Sequence, residues 1–361
     1  MKRYIQILFF IVVINESLCG QDVNKKTTPI IEYRAYTGGV VIHHSNMSSL
    51  NDHLYVGNEL RLGFQTTGKD YWHHLFNYPA FGLGVYAGTY NNPSLGYPRA
   101  VFGFIELPFK RKEKSYITTD WSGGVCFNLN AYDSISNPEN IAIGSTVNIY
   151  VGFSFMYKYI ISNKIEIGAG VKLQHFSNGA YSLPNLGLNM ASIELSLKYL
   201  TKNRQSFMDI PSPDVYDKYE VVTMYACGWN VYSELTNDVK YFNSTMSASV
   251  NKRVTHKRTV GVGLDCFYQG YLSEYYADKS NITNKDLMSY AGFLSSELLM
   301  NKFRITTQLG FYIYRPVDFS LIFYERLGLR YYPVKWMFAN VSIKAHAAKA
   351  EFLEYGLGFK F

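Results

Sequence analysis

Hydrophobic and polar residues alternate along most of this chain, as in a β-strand with one face against an apolar phase. The clearest example is residues 146–159, where Val147, Ile149, Val151, Phe153, Phe155, Tyr157 and Tyr159 alternate with Thr146, Asn148, Gly152, Ser154 and Lys158. Successive side chains of a strand point to opposite faces. The segment therefore predicts a membrane strand with a lipid-facing side and a polar, lumenal side.

The same alternation recurs near residues 32–44, 54–66, 80–90, 99–109, 115–130, 164–177 and 191–200, and then near 218–233, 241–253, 256–270, 286–300, 302–315, 319–332, 335–346 and 349–361. We therefore predict an all-β protein, a transmembrane antiparallel β-barrel with about eight strands per half. Residues 201–217 are polar and contain Pro211 and Pro213, which indicates a linker. The predicted division is 21–200 for the first barrel, 201–217 for the linker and 218–361 for a second, degenerate half.

The halves form either two tandem barrels or one larger barrel. Strand pairing decides between them: pairing of residues 193–200 with 32–44 would close the first half alone. Pairing of 193–200 with 218–233 would instead make a single barrel.

The first twenty residues have the pattern of a secretory signal peptide, with Lys2 and Arg3 before an apolar run from Ile5 to Ile14. We expect cleavage near Gly20. Cleavage there leaves Cys126, Cys227 and Cys266, an odd set without disulfide or metal-site spacing, predicted to be buried or lipid-facing thiols.

Composition supports an exported barrel. Aromatic residues make up 17% of the chain while the mean hydropathy is only −0.10, and the final alternating strand ends at Phe361. Aromatic residues gather at the interfaces of outer-membrane barrels. An extracellular β-sandwich is the soluble alternative. The expected location is the outer membrane.

The strand Lys164–Leu173 leads into Gln174-His175-Phe176-Ser177. By parity, His175 and Ser177 lie on the lipid-facing side with Val171 and Leu173. An imidazole beside a serine hydroxyl can take the serine proton during nucleophilic catalysis. The alternative is a hydrogen-bonded polar pair at the end of a strand.

The wider segment His175-Phe176-Ser177-Asn178-Gly179-Ala180, followed by Pro184-Asn185-Leu186-Gly187-Leu188-Asn189, resembles the active-site segment of PagL-type lipid A 3-O-deacylases. Upstream, Asn137-Pro138, Asn140 and Ile143-Gly144-Ser145 resemble the Bacteroidetes-type acyloxyacyl hydrolase-like relatives. The resemblance covers about residues 30–200. It implies an outer-membrane esterase that removes an ester-linked acyl chain from lipid A of lipopolysaccharide, without a cofactor or metal.

The resemblance makes His175 the base and Ser177 the nucleophile, whereas the family's third member, a glutamate, is replaced here by Asn189. An amide carbonyl can still accept the imidazole N–H. We therefore predict a His175–Asn189 hydrogen bond, with Ser177 Oγ near the other ring nitrogen. Alternatively Asn189 caps the turn, and Glu194 or a loop acid orients the ring. Candidate oxyanion or substrate-positioning residues are Asn178, Gly179 and Asn185.

Other features give weaker signals. Neither His43-His44 nor His73-His74 is expected to share a metal, because adjacent strand residues face opposite ways. The net charge of +7 suits either contact with anionic lipid A or scattered rim charges, and its lack of clustering excludes nucleic acid as a partner.

Residues 335–346 loosely repeat 164–175, with His346 predicted to be lumenal beside Lys344. The second half is thus expected to be structural or substrate-positioning. The rival function is a non-catalytic, porin-like or structural barrel.

Overall fold

The computed structural model describes residues 27–51, 54–208, 219–233, 239–318 and 321–361. The predicted signal peptide and most of the predicted linker lie outside these residues. The first eight strands are β1 (Thr27–Val40), β2 (Tyr55–Thr66), β3 (Ala80–Thr89), β4 (Gly96–Arg111), β5 (Ser115–Leu129), β6 (Asn148–Ile160), β7 (Ile165–Ser177) and β8 (Leu188–Leu200). The next eight are β9 (Tyr219–Asn230), β10 (Tyr241–Arg253), β11 (Arg258–Gln269), β12 (Met288–Met300), β13 (Phe303–Tyr314), β14 (Phe323–Val334), β15 (Met337–His346) and β16 (Lys349–Lys360).

The strands close into two separate antiparallel barrels, β1–β8 and β9–β16. In the first, β8 pairs back with β1 from Ile30 opposite Leu200 to Val40 opposite Met190. In the second, β16 pairs with β9. The all-β fold and the tandem arrangement are therefore confirmed, and the single larger barrel is wrong.

Side-chain alternation follows the predicted parity. On β8, Ile193, Leu195 and Leu197 are exposed on the outside, while Glu194 and Lys198 are buried inside. The three thiols are unpaired, with Cys126 buried and Cys227 and Cys266 half-buried. The strands thus present a continuous apolar outer face, as expected of a barrel surrounded by lipid.

Charged and aromatic side chains fill the lumen of the first barrel. One half holds an ion-pair network of fully buried residues, namely Arg34, Arg61, Lys158, Lys172 and Lys198 with Glu32, Glu59, Glu106, Asp120 and Glu194. The other half holds buried rings: Tyr36, Tyr55, Tyr86, Tyr90, Phe102, Tyr150 and Phe176. An eight-stranded barrel is just wide enough for side chains to fill it, so this lumen is a packed core and not a channel.

The second barrel has its own buried ion pairs, including Arg326 with Asp265 and Glu354. His346 lies inside this lumen, as predicted. Its Nε2 is 3.1 Å from Tyr312 Oη, and its Nδ1 is 3.3 Å from a Glu351 oxygen. Glu351 also accepts from Lys344, Gln269 and Tyr271, so the cluster is a hydrogen-bonded lumenal network.

Connections differ between the two ends of each barrel. In the first barrel, the links at the end where β7 finishes are 41–54, 90–95, 130–147 and 178–187, whereas those at the other end are 67–79, 112–114 and 161–164. Outer-membrane barrels place long loops outside the cell and short turns in the periplasm. By this rule, the two longest links among these, 130–147 and 41–54, favour the end that carries His175 as the outer one. The short helix α1 (Tyr71–Leu75) lies at the opposite end, and no helix in the described ranges is long and apolar enough to cross a membrane.

Candidate active site

His175 and Ser177 lie on the face of the first barrel that points away from the lumen, at the C-terminal end of β7. Val171 and Leu173, which precede them on this face, are each 54% exposed, whereas Ser177 is only 8% exposed. The difference arises because the loop 178–187 folds back over the end of the strand. The half-buried His175 ring therefore lies on the outward face of the wall, and the loop covers most of Ser177 beside it.

The register of β7 and β8 brings Asn189 directly opposite His175. The structure contains the predicted hydrogen bond, with His175 Nδ1 2.7 Å from Asn189 Oδ1. The alternative orienting residue, Glu194, is buried in the lumen 3.6 Å from Arg34, on the far side of the barrel wall. Of these two residues, only Asn189 reaches the imidazole.

A second histidine, His43, completes this arrangement. The β1–β8 pairing that closes the barrel continues past Val40, with Val41 N donating to Asn189 O at 2.8 Å. His43 Nδ1 then lies 3.2 Å from Asn189 Nδ2, and His43 Nε2 lies 3.2 Å from Leu186 O. His43 Nδ1 also lies 3.3 Å from Val41 O, so each ring nitrogen faces a backbone carbonyl. The tautomer with its hydrogen on Nε2 donates to Leu186 O and lets Nδ1 accept from the Asn189 amide.

With this tautomer of His43, the chain of hydrogen bonds orients Asn189 and His175. Asn189 Nδ2 donates to His43, and Asn189 Oδ1 faces His175 and accepts its Nδ1–H. His175 Nε2 is then the nitrogen with a free lone pair, as a general base needs. Sequence reasoning missed His43, since it considered this residue only as half of a metal pair. Among the described residues, no cluster of histidine, cysteine and carboxylate side chains could hold a metal.

Ser177 Oγ accepts two hydrogen bonds from the following loop. Asn185 Nδ2 donates at 2.9 Å and Gly179 N at 3.2 Å. The predicted contact of Ser177 Oγ with the other ring nitrogen of His175 is not among the hydrogen bonds of the described residues. Both contacts use Oγ as an acceptor, so they leave its own O–H available for a base on the same strand face.

Asn178 makes different hydrogen bonds from Gly179 and Asn185, although all three follow or flank Ser177 in the same loop. Its Nδ2 donates to Ser145 Oγ at 3.1 Å and to Ser182 O at 2.9 Å, and its backbone N donates to Asn185 Oδ1 at 3.2 Å. Both N–H groups of the side-chain amide are thus used within the protein. Asn178 builds the loop, whereas Gly179 and Asn185 point N–H groups at Ser177.

Gly187 allows the loop to approach the imidazole. Its φ is +81°, a conformation that glycine adopts readily. A Cβ at this position would lie only 2.6 Å from His175 Cε1. The glycine of the sequence motif is therefore required both by the turn and by the space that the ring occupies.

The β5–β6 loop supports the site from the side. Leu186 N donates to Ile141 O at 3.2 Å and Gly187 N to Ala142 O at 3.0 Å. Within this loop, Asn140 Nδ2 bonds to the backbone oxygens of Ser94 and Asn130. The upstream motif residues thus act as scaffold for the loop that covers Ser177.

Two family models match the chain. The lipid A 3-O-deacylase (PagL) model matches residues 58–198, and the model of the acyloxyacyl hydrolase C-terminal domain of PagL matches residues 218–361. Together they cover most of the sequence, one on each barrel. This chain belongs to the PagL family.

Among curated proteins, none matches the chain. Solved structures that align with this PagL-family chain are outer-membrane barrels of low similarity. A mutant of the Rh. blastica porin is 10% identical, with a TM-score of 0.18, covering 93% of this chain and 100% of the porin. Pseudomonas aeruginosa OccK5 (OpdH) is 7% identical at a TM-score of 0.23, and the β domain of the Bordetella autotransporter BrkA is 9% identical at 0.25, each aligned over 93% of this chain and at least 98% of its own. Scores this low carry no argument.

PagL-family membership and the barrel fold together support a lipid A deacylase, a hydrolase of ester bonds, located in the outer membrane. They also support lipid A as the partner that this protein contacts. Asn189, the position at which the resemblance implies a glutamate, lies within hydrogen-bond distance of His175.

Proposed function

We propose that the first barrel is an outer-membrane esterase in which Ser177 attacks an ester-linked acyl chain of lipid A and His175 acts as its base. The observation that carries this proposal is the outward-facing pair itself. A polar base and hydroxyl stand on the lipid side of the wall, with His175 held by Asn189 at 2.7 Å. Lipid A lies in the leaflet beside this end of the barrel, so its ester can reach Ser177 without entering the lumen.

In the first step, Ser177 Oγ bonds to the ester carbonyl carbon while its proton passes to His175 Nε2. The negative charge on the carbonyl oxygen is stabilised by the N–H groups that already surround Oγ, those of Gly179 and Asn185. Collapse of this intermediate breaks the bond to the sugar oxygen, which takes the proton back from His175. A water molecule then releases the fatty acid from Ser177 by the same sequence of proton transfers.

Asn189 and His43 serve the base in this scheme. The Asn189 carbonyl holds the imidazole in the tautomer that leaves Nε2 unprotonated. His43 holds the Asn189 amide so that its carbonyl, and not its NH₂, faces the ring. Unlike a carboxylate, Asn189 offers no negative charge to the imidazolium that forms during attack.

The porin-like form of the rival function is disfavoured by the lumen of the first barrel, which buried ion pairs and stacked tyrosines fill. A purely structural barrel is the form that the next experiment tests. Mass spectrometry of lipid A from cells with and without the gene tests the proposal. We expect loss of one ester-linked acyl chain only in cells that express the protein. An unchanged acylation pattern would contradict the deacylase and favour the non-catalytic barrel.

A further inference from the structure

The second barrel touches the first at the loop that follows Ser177. Val231 N donates to Ala180 O at 3.1 Å. Lys240 Nζ donates to Tyr181 O at 2.7 Å and lies 4.8 Å from the centre of the Tyr181 ring. A Cβ built on Gly179 would lie 2.5 Å from Leu353 Cγ, so the leucine packs directly against this glycine. Three consecutive loop residues are thus each met by a residue of the second barrel.

The three contacting residues form one patch on the outer rim of the second barrel. Val231 follows the end of β9, Lys240 precedes β10 and Leu353 lies near the start of β16. They are neighbours because β9 pairs with both β10 and β16. Leu353 belongs to the outward face, where Leu357 on the same strand is 51% exposed, yet Leu353 itself is half-buried. The loop of the first barrel is what covers it.

The barrels also meet at their opposite ends. The ring of Tyr71 in α1 lies 5.1 Å from that of His256, and Lys257 Nζ lies 5.2 Å from the centre of the Phe76 ring. Contact at both ends sets the two barrels side by side. The patch against residues 179–181 is therefore held in place by a second, independent contact.

The loop needs external support at this point. Gly179 and Ala180 both have left-handed backbones, with φ of +66° and +67°. This conformation is unfavourable for alanine, whose Cβ crowds the following carbonyl group. The hydrogen bond from Val231 N to Ala180 O helps to hold it, and with it the adjacent Gly179 N–H that points at Ser177 Oγ.

We propose that the second barrel is a positioning element for the active site. It holds residues 179–181 so that the Gly179 N–H points at Ser177 Oγ. This inference rests on the proposed esterase function for its catalytic consequence. It gives the degenerate half a role that needs no catalytic residues of its own. Where the first half has Phe176, Ser177 and Asn178, the repeat has Ala347, Ala348 and Lys349.

A proline at position 231 tests the hydrogen bond, because Val231→Pro removes the backbone N–H while Val231→Ala keeps it. Residue 231 follows the last residue of β9, so no ladder bond is lost. In the full-length protein, we expect kcat for release of fatty acid from lipid A to fall about tenfold or more in Val231→Pro with KM unchanged, and to stay near wild type in Val231→Ala.

A rescue experiment tests the packing contact. Gly179→Ala introduces a Cβ against Leu353. The positive φ of Gly179 also disfavours alanine, so the collision with Leu353 accounts for part of the cost. We expect Gly179→Ala to lower kcat, Leu353→Ala to restore part of the loss in the double variant, and Leu357→Ala to restore none.

Hydrogen–deuterium exchange of the 178–187 peptide gives a readout that does not depend on catalysis. The proposal expects faster exchange in Val231→Pro than in Val231→Ala. Equal exchange in the two variants, or a Gly179→Ala defect that Leu353→Ala leaves unchanged, would overturn the positioning role. A wild-type protein that hydrolyses no ester but shows the exchange difference would instead overturn the esterase and leave the docking intact.

Discussion

His175, Asn189 and His43 form a hydrogen-bonded chain in which a neutral amide stands where the sequence resemblance implies a carboxylate. The amide can set the tautomer and position of the ring. It cannot supply the negative charge that stabilises an imidazolium. The two contributions are therefore separable by substitution at position 189.

Asn189→Ala should lower kcat about fivefold, the effect of losing one hydrogen bond worth about 1 kcal/mol. Asn189→Asp should match or exceed wild type, because an isosteric carboxylate accepts the same N–H and adds charge. Initial rates of fatty acid release from purified lipid A decide this. An Asp variant as slow as the Ala variant would show that Asn189 does not orient the base.

His43→Ala should lower kcat about threefold to tenfold without changing KM, because the Asn189 amide is then free to turn its NH₂ toward the ring. In the Asn189→Asp background the same change should have little effect, since either carboxylate oxygen can accept. A double-mutant cycle measures this coupling. Equal losses in both backgrounds would mean that His43 does not act through Asn189.

The sequence predicted His175, Ser177, Asn189, Gly179 and Asn185 as neighbours because all lie within one strand–loop–strand segment, where spacing and parity determine which groups meet. His43 could not be predicted in this way. It comes from the β1–β2 connection, and only the closing β1–β8 pairing carries it to Asn189. Asn178 was grouped with the oxyanion candidates, since the sequence does not reveal that Ser145 and Ser182 take both of its amide hydrogens.

At the scale of elements, the site depends on how closely the 178–187 loop packs on the end of β7. Gly187 lies against the imidazole, while the β5–β6 loop supports Leu186 and Gly187 through backbone hydrogen bonds. These contacts connect the upstream motif to the catalytic segment, although about thirty residues separate them in the sequence.

Gly187→Ala should lower activity about a hundredfold, because the added Cβ displaces the His175 ring and the positive φ disfavours alanine. The barrel should still assemble, as shown by heat-modifiable migration on gels. Gly123→Ala is the matched control, since a Cβ there meets no atom within 4 Å. Wild-type activity in Gly187→Ala would contradict the close contact between the loop and the base.

Most strands were predictable from alternation alone, as β6 and β8 show, because inside and outside differ so strongly in polarity. The start of β1 was less predictable from alternation. The strand begins at Thr27, before the predicted range 32–44, because its first residues pair with the end of β2. Ladder pairing, and not local pattern, sets that boundary.

At the scale of the whole molecule, each barrel is a closed unit with its own buried ionic core. Alternation could not distinguish two barrels from one, because both place the same residues inside and outside. The pairing of β8 with β1 is a long-range property of the sheet. The charged residues inside each half nonetheless favour small barrels, because a buried ion needs an oppositely charged partner and a narrow lumen brings the two within contact distance.

Glu106 tests this ionic core. It lies 2.7 Å from Lys198 and 3.6 Å from both Arg34 and Lys158, fully buried. Glu106→Gln should lower the free energy of unfolding by about 3–5 kcal/mol, because it leaves buried cations without their carboxylate. Urea unfolding in lipid vesicles measures the change. The exposed Glu139→Gln is the control, expected within about 0.5 kcal/mol of wild type, and an equal effect of both variants would contradict the network's role.

The central claim is that Ser177 is the nucleophile of an outer-membrane lipid A esterase. Its most direct test is fatty acid release from lipid A by purified wild type, Ser177→Ala and Ser48→Ala, the last an exposed serine on the same outer rim. We predict that Ser177→Ala folds normally and loses activity on the order of a thousandfold or more, while Ser48→Ala matches wild type. Full activity in Ser177→Ala would contradict the assignment, whatever the geometry around His175.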